Sequence, residues 1–188
     1  RGVAVTHENK IVTGSRDDTL RLWTQRENNP NKVPTQGEER GCVFEETGEC
    51  KHEYHVACAA TAGPSDKFPN GLAMAGTYDL TSSGAVKTPA VAKLWDAKDG
   101  SDKGELKGHT ATVSAIAAMP GKNGDLVTAS WDKTIRLWDR STLAMKKELK
   151  GHSQAVWAVL PMPGEKLLTG SGDRSIKLWD THDGKCLG

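Results

Sequence analysis

Two sets of side chains in the second half of the chain carry the groups that hydrolases use. Each set holds a histidine, a threonine hydroxyl and an aspartate, in that order along the chain: His109, Thr128 and Asp132, then His152, Thr169 and Asp173. An imidazole between a hydroxyl and a carboxylate can activate the hydroxyl as a nucleophile. The sets recur with the internal repeat of the sequence, however, and an active site has no reason to recur once per structural unit. Hydrolase catalysis is therefore disfavoured, and the chain is not expected to be an enzyme.

The repeat is visible in twelve-residue segments that contain an aspartate and end near a tryptophan. TASWDKTIRLWD at residues 128–139 returns as TGSGDRSIKLWD at 169–180, and TGSRDDTLRLWT at 13–24 is a further copy. A fourth copy, at residues 75–96, is stretched between Asp79 and Trp95. Gly-His pairs stand fourteen residues after the tryptophans of two copies, at His109 and His152. A period of about 43 residues predicts a repeated structural unit.

Short strands must position these residues. Apolar segments such as VSAIAAM, DLVTAS and TIRLWD alternate with turns rich in Pro, Gly, Asn and Asp, which is typical of short strands and tight turns. No apolar run has helical spacing long enough to compete. The sequence therefore predicts an all-β fold.

A Gly-His pair before one apolar run and a Trp-Asp pair after another resembles the WD repeat, whose family fold is the β-propeller. The resemblance implies about four blades, at roughly residues 1–50, 51–107, 108–150 and 151–188. Residues 26–50 and the insertion between Asp79 and Trp95 lie outside the pattern. The pattern starts inside a first strand and stops inside a fourth, and the WD family usually has seven blades. We therefore expect the chain to be a fragment of a longer protein.

The resemblance gives the repeated polar residues a structural role. In the WD family the histidine, hydroxyl, aspartate and tryptophan form a hydrogen-bonded tetrad that ties a loop to the sheet. The chemistry is suitable, because an indole N–H donates, a hydroxyl relays and a carboxylate accepts from imidazole. The matching residues, repeat by repeat, are Thr13, Asp17 and Trp23; His52, Asp79 and Trp95; His109, Thr128, Asp132 and Trp138; and His152, Thr169, Asp173 and Trp179.

A cysteine-bearing stretch offers a different hypothesis. Four residues there have the types found in zinc sites: Cys42, Cys50, His55 and Cys58. CKHEYHVACA is also similar to the second half of a PHD-type zinc finger. The repeat register places His52 four residues before Val56, which puts Cys58 inside a first strand as a small apolar residue. We therefore expect no metal and no cofactor, and we expect residues 26–41 to form an exposed loop.

One end of every blade is expected to carry a binding face. The residues before each turn aspartate, and those beside the leading valine of each first strand, should point from the same end: Arg1, Arg16, His55, Tyr78, Trp131 and Trp157. Large aromatic side chains and arginines are typical interface anchors. In the alternative interpretation, either tryptophan fills a gap between blades.

Three features look like the amino-terminal propeller of the phospholipase A-activating protein family, the ubiquitin-fusion-degradation adaptor. They are the first unit RGVAVTHENKIVTGSRDDTLRLW, the phrase GHSQAVWAVL followed by GSGDRSIKLWD, and FPNGLAMAG before a long insertion. In that family the propeller binds ubiquitin, and later domains recruit the AAA+ unfoldase valosin-containing protein. The resemblance implies a ubiquitin-binding adaptor of the cytoplasm, and of the nucleus as well. The alternative is a general WD scaffold for another protein or peptide. KLWD in the second blade and the cysteine-bearing linker depart from the family pattern.

Composition adds limits. A chain of 188 residues with 36% hydrophobic residues can bury a core. The formal net charge of +1 offers no basic stripe, so no nucleic-acid partner is expected. No run of eighteen apolar residues is present, so no membrane partner is expected either.

Overall fold

The computed structural model describes residues 2–6, 10–15, 19–25, 44–51, 55–78, 90–121 and 124–188. These ranges contain sixteen β-strands and no helix. The strands form four antiparallel sheets, each of four strands. The prediction of an all-β fold with about four repeated units is therefore confirmed. The same ranges contain no helix with the length and apolar character of a membrane span.

Each sheet is built from four strands that are consecutive in the chain. Sheet 1 contains β1 (Gly2–Val5), β2 (Ile11–Gly14), β3 (Thr19–Gln25) and β4 (Phe44–Lys51). Sheet 2 contains β5 (His55–Ala62), β6 (Leu72–Tyr78), β7 (Ala90–Asp96) and β8 (Asp102–His109). Sheet 3 contains β9 (Val113–Ala118), β10 (Leu126–Ser130), β11 (Thr134–Trp138) and β12 (Met145–Lys150). Sheet 4 contains β13 (Val156–Met162), β14 (Lys166–Ser171), β15 (Ile176–Asp180) and β16 (Lys185–Cys186).

The sheets stack in chain order, and the first strand of each lies beside the first strand of the next. Each sheet has two apolar faces, because alternate residues of a strand point to opposite sides. In sheet 3 one face carries Leu126, Thr128 and Trp138, and we call the corresponding side of every sheet its tryptophan face. The other side, which in sheet 3 carries Val127 and Leu137, is its aliphatic face.

Three buried clusters fill the spaces between neighbouring sheets. Between sheets 1 and 2 lie Val12, Leu20, Leu22, Val56, Ala73, Ala75 and Trp95. Between sheets 2 and 3 lie, among others, Leu72, Met74, Leu94, Leu106, Ile116, Leu126 and Trp138. Between sheets 3 and 4 lie, among others, Val127, Ile135, Leu137, Leu149, Val156, Leu167 and Trp179. Each cluster joins the aliphatic face of one sheet to the tryptophan face of the next.

Tight turns bring the polar repeat residues to one end of the sheets. In the turn between β10 and β11, the Lys133 N–H donates to the Ser130 carbonyl at 3.2 Å, and Lys133 has a φ of 74°. The turn between β14 and β15 repeats this geometry, with Arg174 at a φ of 66°. Left-handed backbone is uncommon for residues with a side chain. Its recurrence at matching positions shows that the turn is part of the repeat.

Candidate functional site

The tetrad of sheet 3 is fully assembled. Trp138 Nε1 donates to Thr128 Oγ1 at 2.8 Å, and Thr128 Oγ1 lies 2.7 Å from His109 Nε2. His109 Nδ1 lies 2.8 Å from Asp132 Oδ2. Because the indole N–H can only donate, the threonine hydroxyl accepts from it and donates its own proton to His109 Nε2. His109 therefore carries its proton on Nδ1 and donates it to the aspartate.

Asp132 ties this chain of hydrogen bonds to the backbone. Its carboxylate accepts from the N–H of Thr110 at 3.1 Å and of Thr134 at 3.0 Å, and from the Thr134 hydroxyl at 2.7 Å. Burial opposes the charged form of Asp132, but the hydrogen bonds from His109 and Thr134 outweigh it and hold the pKa of Asp132 well below its usual range. The loop that carries His109 is thereby fastened to the turn after β10.

Sheet 4 repeats this arrangement at equivalent positions. Trp179 Nε1 donates to Thr169 Oγ1 at 2.8 Å, and His152 bridges Thr169 and Asp173 with two contacts of 2.8 Å. A hydrogen bond from Ser175 is the main cause that holds the pKa of Asp173 well below its usual range, and His152 adds to it. Trp138, Trp179 and both threonines are buried, so the two tetrads lie inside the stack of sheets.

Sheets 1 and 2 contain parts of the tetrad among their described residues. In sheet 1, Trp23 Nε1 donates to Thr13 Oγ1 at 2.8 Å. In sheet 2, Trp95 pairs with Ala73, so the position of the relay hydroxyl belongs to Ala75. That sheet places a methyl group where sheets 1, 3 and 4 have a threonine. The three other predicted tetrad residues, Asp17, His52 and Asp79, lie outside the described residues.

Sequence reasoning missed one recurring member of the tetrads. The hydroxyls of Thr134 and Ser175 donate to Asp132 and Asp173 at 2.7 and 2.6 Å. The signal was present, because each hydroxyl stands two positions after the aspartate in DKT and DRS. A side chain at this spacing from an aspartate can close a local hydrogen-bonded turn.

The two tryptophans of the predicted binding face are in contact. Trp131 follows β10, Trp157 is the second residue of β13, and their rings meet edge to face with centroids 5.2 Å apart. Trp157 is 52% exposed and Trp131 is partly exposed. Trp131 Nε1 is buried and has no hydrogen-bond partner in the part of the chain that the structure describes. We call these two residues the tryptophan pair.

The indole of Trp157 is accommodated by a glycine of its own sheet. Gly172 occupies in sheet 4 the position that Trp131 occupies in sheet 3. A Cβ atom added to Gly172 would lie 3.0 Å from Trp157 Nε1. The tryptophan pair therefore consists of one large ring from sheet 3 and one from sheet 4. Gly172 leaves space for the Trp157 indole, which a side chain at this position would crowd.

Of the four other residues of the predicted face, the structure describes two through their backbone alone and does not describe the other two. His55 begins β5 and pairs with Tyr78 at the end of β6, at the same end of the sheets as the tryptophan pair. The structure describes the backbone of these two residues and not their side chains. Arg1 and Arg16 lie outside the described residues. The face thus remains a prediction, with the tryptophan pair as its described part.

The three described residues of the zinc hypothesis lie in two neighbouring sheets. Cys50 lies in β4 of sheet 1, while His55 and Cys58 lie in β5 of sheet 2, and Cys42 is outside the described residues. Cys58 Sγ lies 3.6 Å from the Val113 carbonyl oxygen, and burial raises the pKa of this thiol to about 12. A thiol held protonated is a poor zinc ligand, because the metal binds thiolate. The described residues include no cluster of three or more possible metal ligands.

A cavity of about 380 Å³ opens at the opposite end of sheets 3 and 4. Met119, Pro120 and Met162 line it together with an ion pair between Lys146 and Asp125, whose closest atoms lie 2.9 Å apart. The tetrad residues are not among its described lining. The histidine, hydroxyl and aspartate groups are thus separated from this cavity and serve the packing of the sheets.

The repeats match a known family by sequence as well as by geometry. The profile of the WD domain, G-beta repeat, matches residues 1–24, 100–139 and 144–180, which is more than half of the chain. The chain belongs to the WD40 family. The four-stranded sheets of this WD40 chain agree with the fold that its repeated sequence pattern predicts.

Individual proteins are similar to this WD40 chain over about half of their own length. The Ribosome biogenesis protein WDR12 homolog of Culex quinquefasciatus is 26% identical over 214 aligned residues, covering 92% of this chain and 50% of that protein. The crystal structure of the WD40 beta propeller domain of Doa1 superposes with a TM-score of 0.68 at 24% identity. That match covers 100% of this chain and 53% of the Doa1 chain. The structural likeness establishes the propeller fold of this WD40 chain.

Proposed function

We propose that this chain is a non-catalytic protein-binding propeller module that binds ubiquitin or ubiquitinated proteins at the tryptophan pair. The observation that carries the proposal is the contact of Trp131 and Trp157 at one end of sheets 3 and 4, with Trp157 52% exposed. Two large aromatic rings at a surface are a concentrated source of binding energy, and such residues are enriched among interface hot spots.

The physical state of the pair supports a role in binding. An exposed indole loses water when a partner's apolar surface covers it, and that desolvation is favourable. Ubiquitin presents an apolar patch that could cover the two rings.

The likeness to specific families supports ubiquitin as the partner. The first repeat, the fourth repeat and the FPNGLAMAG segment resemble the phospholipase A-activating protein family. The WD40 propeller domain of Doa1 is a solved structure of the same fold. In our proposal the module works in ubiquitin-dependent degradation and sorting, in the cytoplasm and the nucleus. An AAA+ unfoldase would be recruited by domains other than these four sheets.

Titration with monoubiquitin tests the proposal. We expect saturable binding by the wild-type chain in calorimetry or in NMR titration of labelled ubiquitin. Trp131→Ala and Trp157→Ala should each weaken binding by about 2 kcal/mol or more, which is roughly thirtyfold in Kd. Met145→Ala is the matched control, because Met145 is an apolar side chain of similar exposure, 51%, on β12. Its Kd should equal that of the wild type.

The thermal melting temperature separates binding from folding in this experiment. Both tryptophan variants should lose much less stability than Trp138→Ala, because Trp138 is buried whereas Trp157 is 52% exposed and Trp131 is partly exposed. Unchanged affinity together with a large drop in melting temperature would show that the rings stabilise the core and that the proposed face is wrong.

A general scaffold for another protein or peptide is the second candidate. The similar mosquito protein is named for ribosome biogenesis, which is a different process from ubiquitin-dependent degradation. Absence of ubiquitin binding, combined with loss of another protein's binding in the same two tryptophan variants, would favour this candidate. The tryptophan pair would then keep its role with a different partner.

A further inference from the structure

The cavity at the end opposite the tryptophan pair lies between sheets 3 and 4, and both of its walls belong to the described chain. Sheet 3 contributes residues from the connection after β9 and from β12, and sheet 4 contributes the turn after β13 and the residue after β15. Its volume of about 380 Å³ is within the range of pockets that hold small ligands. We call it the seam cavity.

Two methionines give the seam cavity an apolar side. Met119 is 8% exposed and belongs to the buried cluster between sheets 3 and 4. Met162 ends β13 and is partly exposed. Both side chains line the cavity. Because unbranched thioether chains adjust to ligands of different shape, this side of the cavity suits an alkyl chain.

An ion pair on the sheet 3 side already binds the ammonium group of the described lining. Lys146 Nζ lies 3.0 Å from Asp125 Oδ1 and 2.9 Å from Asp125 Oδ2. The hydrogen bond with Asp125 is the main cause that raises the pKa of Lys146. The charges of Asp139 and Glu165 raise this pKa further. Three carboxylates thus act on one ammonium, so negative charge prevails around it.

Glu165 supplies a second carboxylate of the lining, from the opposite wall. It lies in the turn between β13 and β14, where Gly164 and Glu165 have φ values of 73° and 56°. Thr181 fastens this turn, because its N–H and its hydroxyl both donate to the Glu165 carbonyl oxygen, at 2.8 and 2.9 Å. The Glu165 carboxylate makes no hydrogen bond or ion pair within the part of the chain that the structure describes. The backbone of the turn is therefore fixed, and the carboxylate is open to a ligand.

Two other ammonium groups of these sheets are bound by other partners. Lys166 Nζ lies 3.2 Å from Asp180 Oδ2, and Lys147 Nζ lies 3.3 Å from the Thr181 carbonyl oxygen. Neither lysine belongs to the described lining of the seam cavity. That lining holds two carboxylates and one ammonium, which sum to a formal charge of −1. Its unpaired charge is the carboxylate of Glu165.

We propose that the seam cavity binds a lysine or arginine side chain of a protein partner. The methylene chain of that residue lies against Met119 and Met162, and its cationic group binds the Glu165 carboxylate. Lysine and arginine combine an apolar stem with a charged end, and charge-assisted hydrogen bonds to a carboxylate are stronger than neutral ones. Pro120 and Glu165 of the lining are exposed, which leaves room for the partner's backbone outside the cavity.

The seam cavity is separate from the tryptophan pair and does not depend on ubiquitin as the partner. Because the two sites lie at opposite ends of sheets 3 and 4, they can be occupied at the same time. The module would then join one protein at the tryptophan pair to a second protein with a basic side chain at the seam cavity.

Methyl NMR of the methionines tests the proposal. The chain has four methionines, so selective ¹³C-methyl labelling gives four signals. The probes are capped peptides of the sequence Gly-Gly-X-Gly-Gly, in which X is arginine, lysine or glutamine. The arginine and lysine peptides should shift the signals of Met119 and Met162 saturably, whereas the uncharged glutamine peptide should not. Met74 is the internal control, because it is 0% exposed in the cluster between sheets 2 and 3.

Substitutions of Glu165 measure the contribution of the cation. Glu165→Gln keeps the size of the side chain and should raise the Kd of the arginine peptide about fivefold, the scale of an exposed ion pair. Glu165→Lys places a like charge at the site and should abolish the shifts. Glu105→Gln is the matched control, because Glu105 lies on β8 of sheet 2 and outside the described lining. An unchanged Met74 signal shows that each variant keeps its fold.

Four results would overturn the proposal. Absent shifts at Met119 and Met162 up to the solubility limit of both charged peptides would show that the cavity binds no such side chain. Equal Kd values for the glutamine and arginine peptides would show a contact that does not recognise charge. An unchanged Kd in Glu165→Gln would place the cation elsewhere. Much tighter binding of n-butylamine than of the lysine peptide would show that a peptide backbone does not fit, and would assign the cavity to a free amine.

Discussion

Trp131 and Trp157 belong to neighbouring sheets, and their rings meet edge to face with centroids 5.2 Å apart. Edge-to-face aromatic pairs are worth about 0.5–1.5 kcal/mol beyond the area that they bury. The contact therefore fixes the orientation of Trp157 from one side, and Gly172 leaves room for its indole on the other. The contact therefore favours this orientation of the exposed ring before any partner arrives.

Gly172→Ala should disturb this orientation without removing a ring. The new Cβ would lie 3.0 Å from Trp157 Nε1, so the indole must move by a few tenths of an ångström. We expect weaker monoubiquitin binding than in the wild type, a changed near-ultraviolet circular dichroism signal, and a stability loss of about 1 kcal/mol or less at this partly exposed site. Gly63→Ala is the control, because a Cβ at Gly63 meets nothing within 4 Å. Equal binding by both variants would show that the ring's orientation does not matter.

The hydrogen bond and the packing of Trp138 can be separated by substitution. Trp138→Phe loses the indole donor to Thr128 and should cost about 0.5–1.5 kcal/mol of unfolding free energy. Trp138→Ala also opens a cavity in the cluster between sheets 2 and 3, and should cost about 3–5 kcal/mol. Chemical denaturation measures both. If the two variants lose the same stability, the hydrogen bond contributes nothing.

Thr128→Val tests the relay from its other side. Valine keeps the shape of threonine but leaves Trp138 Nε1 and His109 Nε2 without their shared partner. Because unpaired buried polar groups are costly, we expect a loss of about 1–3 kcal/mol in the same denaturation experiment. In the double variant Thr128→Val with Trp138→Phe, the loss should be smaller than the sum of the two single losses, since both remove one hydrogen bond. Strict additivity would contradict the relay.

The tetrad should make stability depend on pH in the acidic range. The pKa of Asp132 is lowered in the folded state, so its carboxylate contributes stability above the unfolded pKa of about 3.9, and this contribution is lost as the pH falls further. The melting temperature should therefore decrease below about pH 4. Asp132→Asn should be less stable at neutral pH and should show a shallower decrease than the wild type. Other carboxylates also titrate in this range, so the difference between the two curves is the measurement. Parallel curves would exclude a role for Asp132.

The purified chain should carry no stoichiometric zinc. Cys58 is partly buried where sheets 2 and 3 meet, burial of its thiol raises the pKa to about 12, and Cys50 lies in the neighbouring sheet. Elemental analysis after dialysis against a weak chelator measures the metal content. One zinc per chain, with metal–sulfur distances of about 2.3 Å in X-ray absorption, would overturn this prediction.

The repeated spacing predicted most of the architecture. Asp132 and Asp173 each stand six residues before a tryptophan, and this spacing corresponds to a tight turn followed by one short strand. Local patterns of this kind are visible in a sequence because turn residues and alternating apolar residues lie close together in the chain. From the same repeated spacing, the sequence predicted that a histidine, a threonine, an aspartate and a tryptophan come together in each repeat. Sheets 3 and 4 each contain such a tetrad.

The contact within the tryptophan pair could not be predicted. It depends on the distance and twist between sheets 3 and 4, which no spacing along the chain encodes. In the sequence Gly172 is only a small residue in a turn, whereas in the structure a Cβ atom at this position would lie 3.0 Å from Trp157 Nε1. The position of Cys58 against the Val113 carbonyl has the same origin, since it also depends on how two sheets approach each other.

The order of the buried clusters limits how far a local defect can spread. The cluster around Trp95 uses sheets 1 and 2, and the cluster around Trp179 uses sheets 3 and 4, so the two have no sheet in common. In arrays where each unit contacts only its neighbours, stability is close to a sum of terms for single units and adjacent pairs. Truncations of Trp95 and Trp179 should therefore be energetically independent, whereas each should couple to a truncation of Trp138, whose cluster shares sheet 2 with the first and sheet 3 with the second.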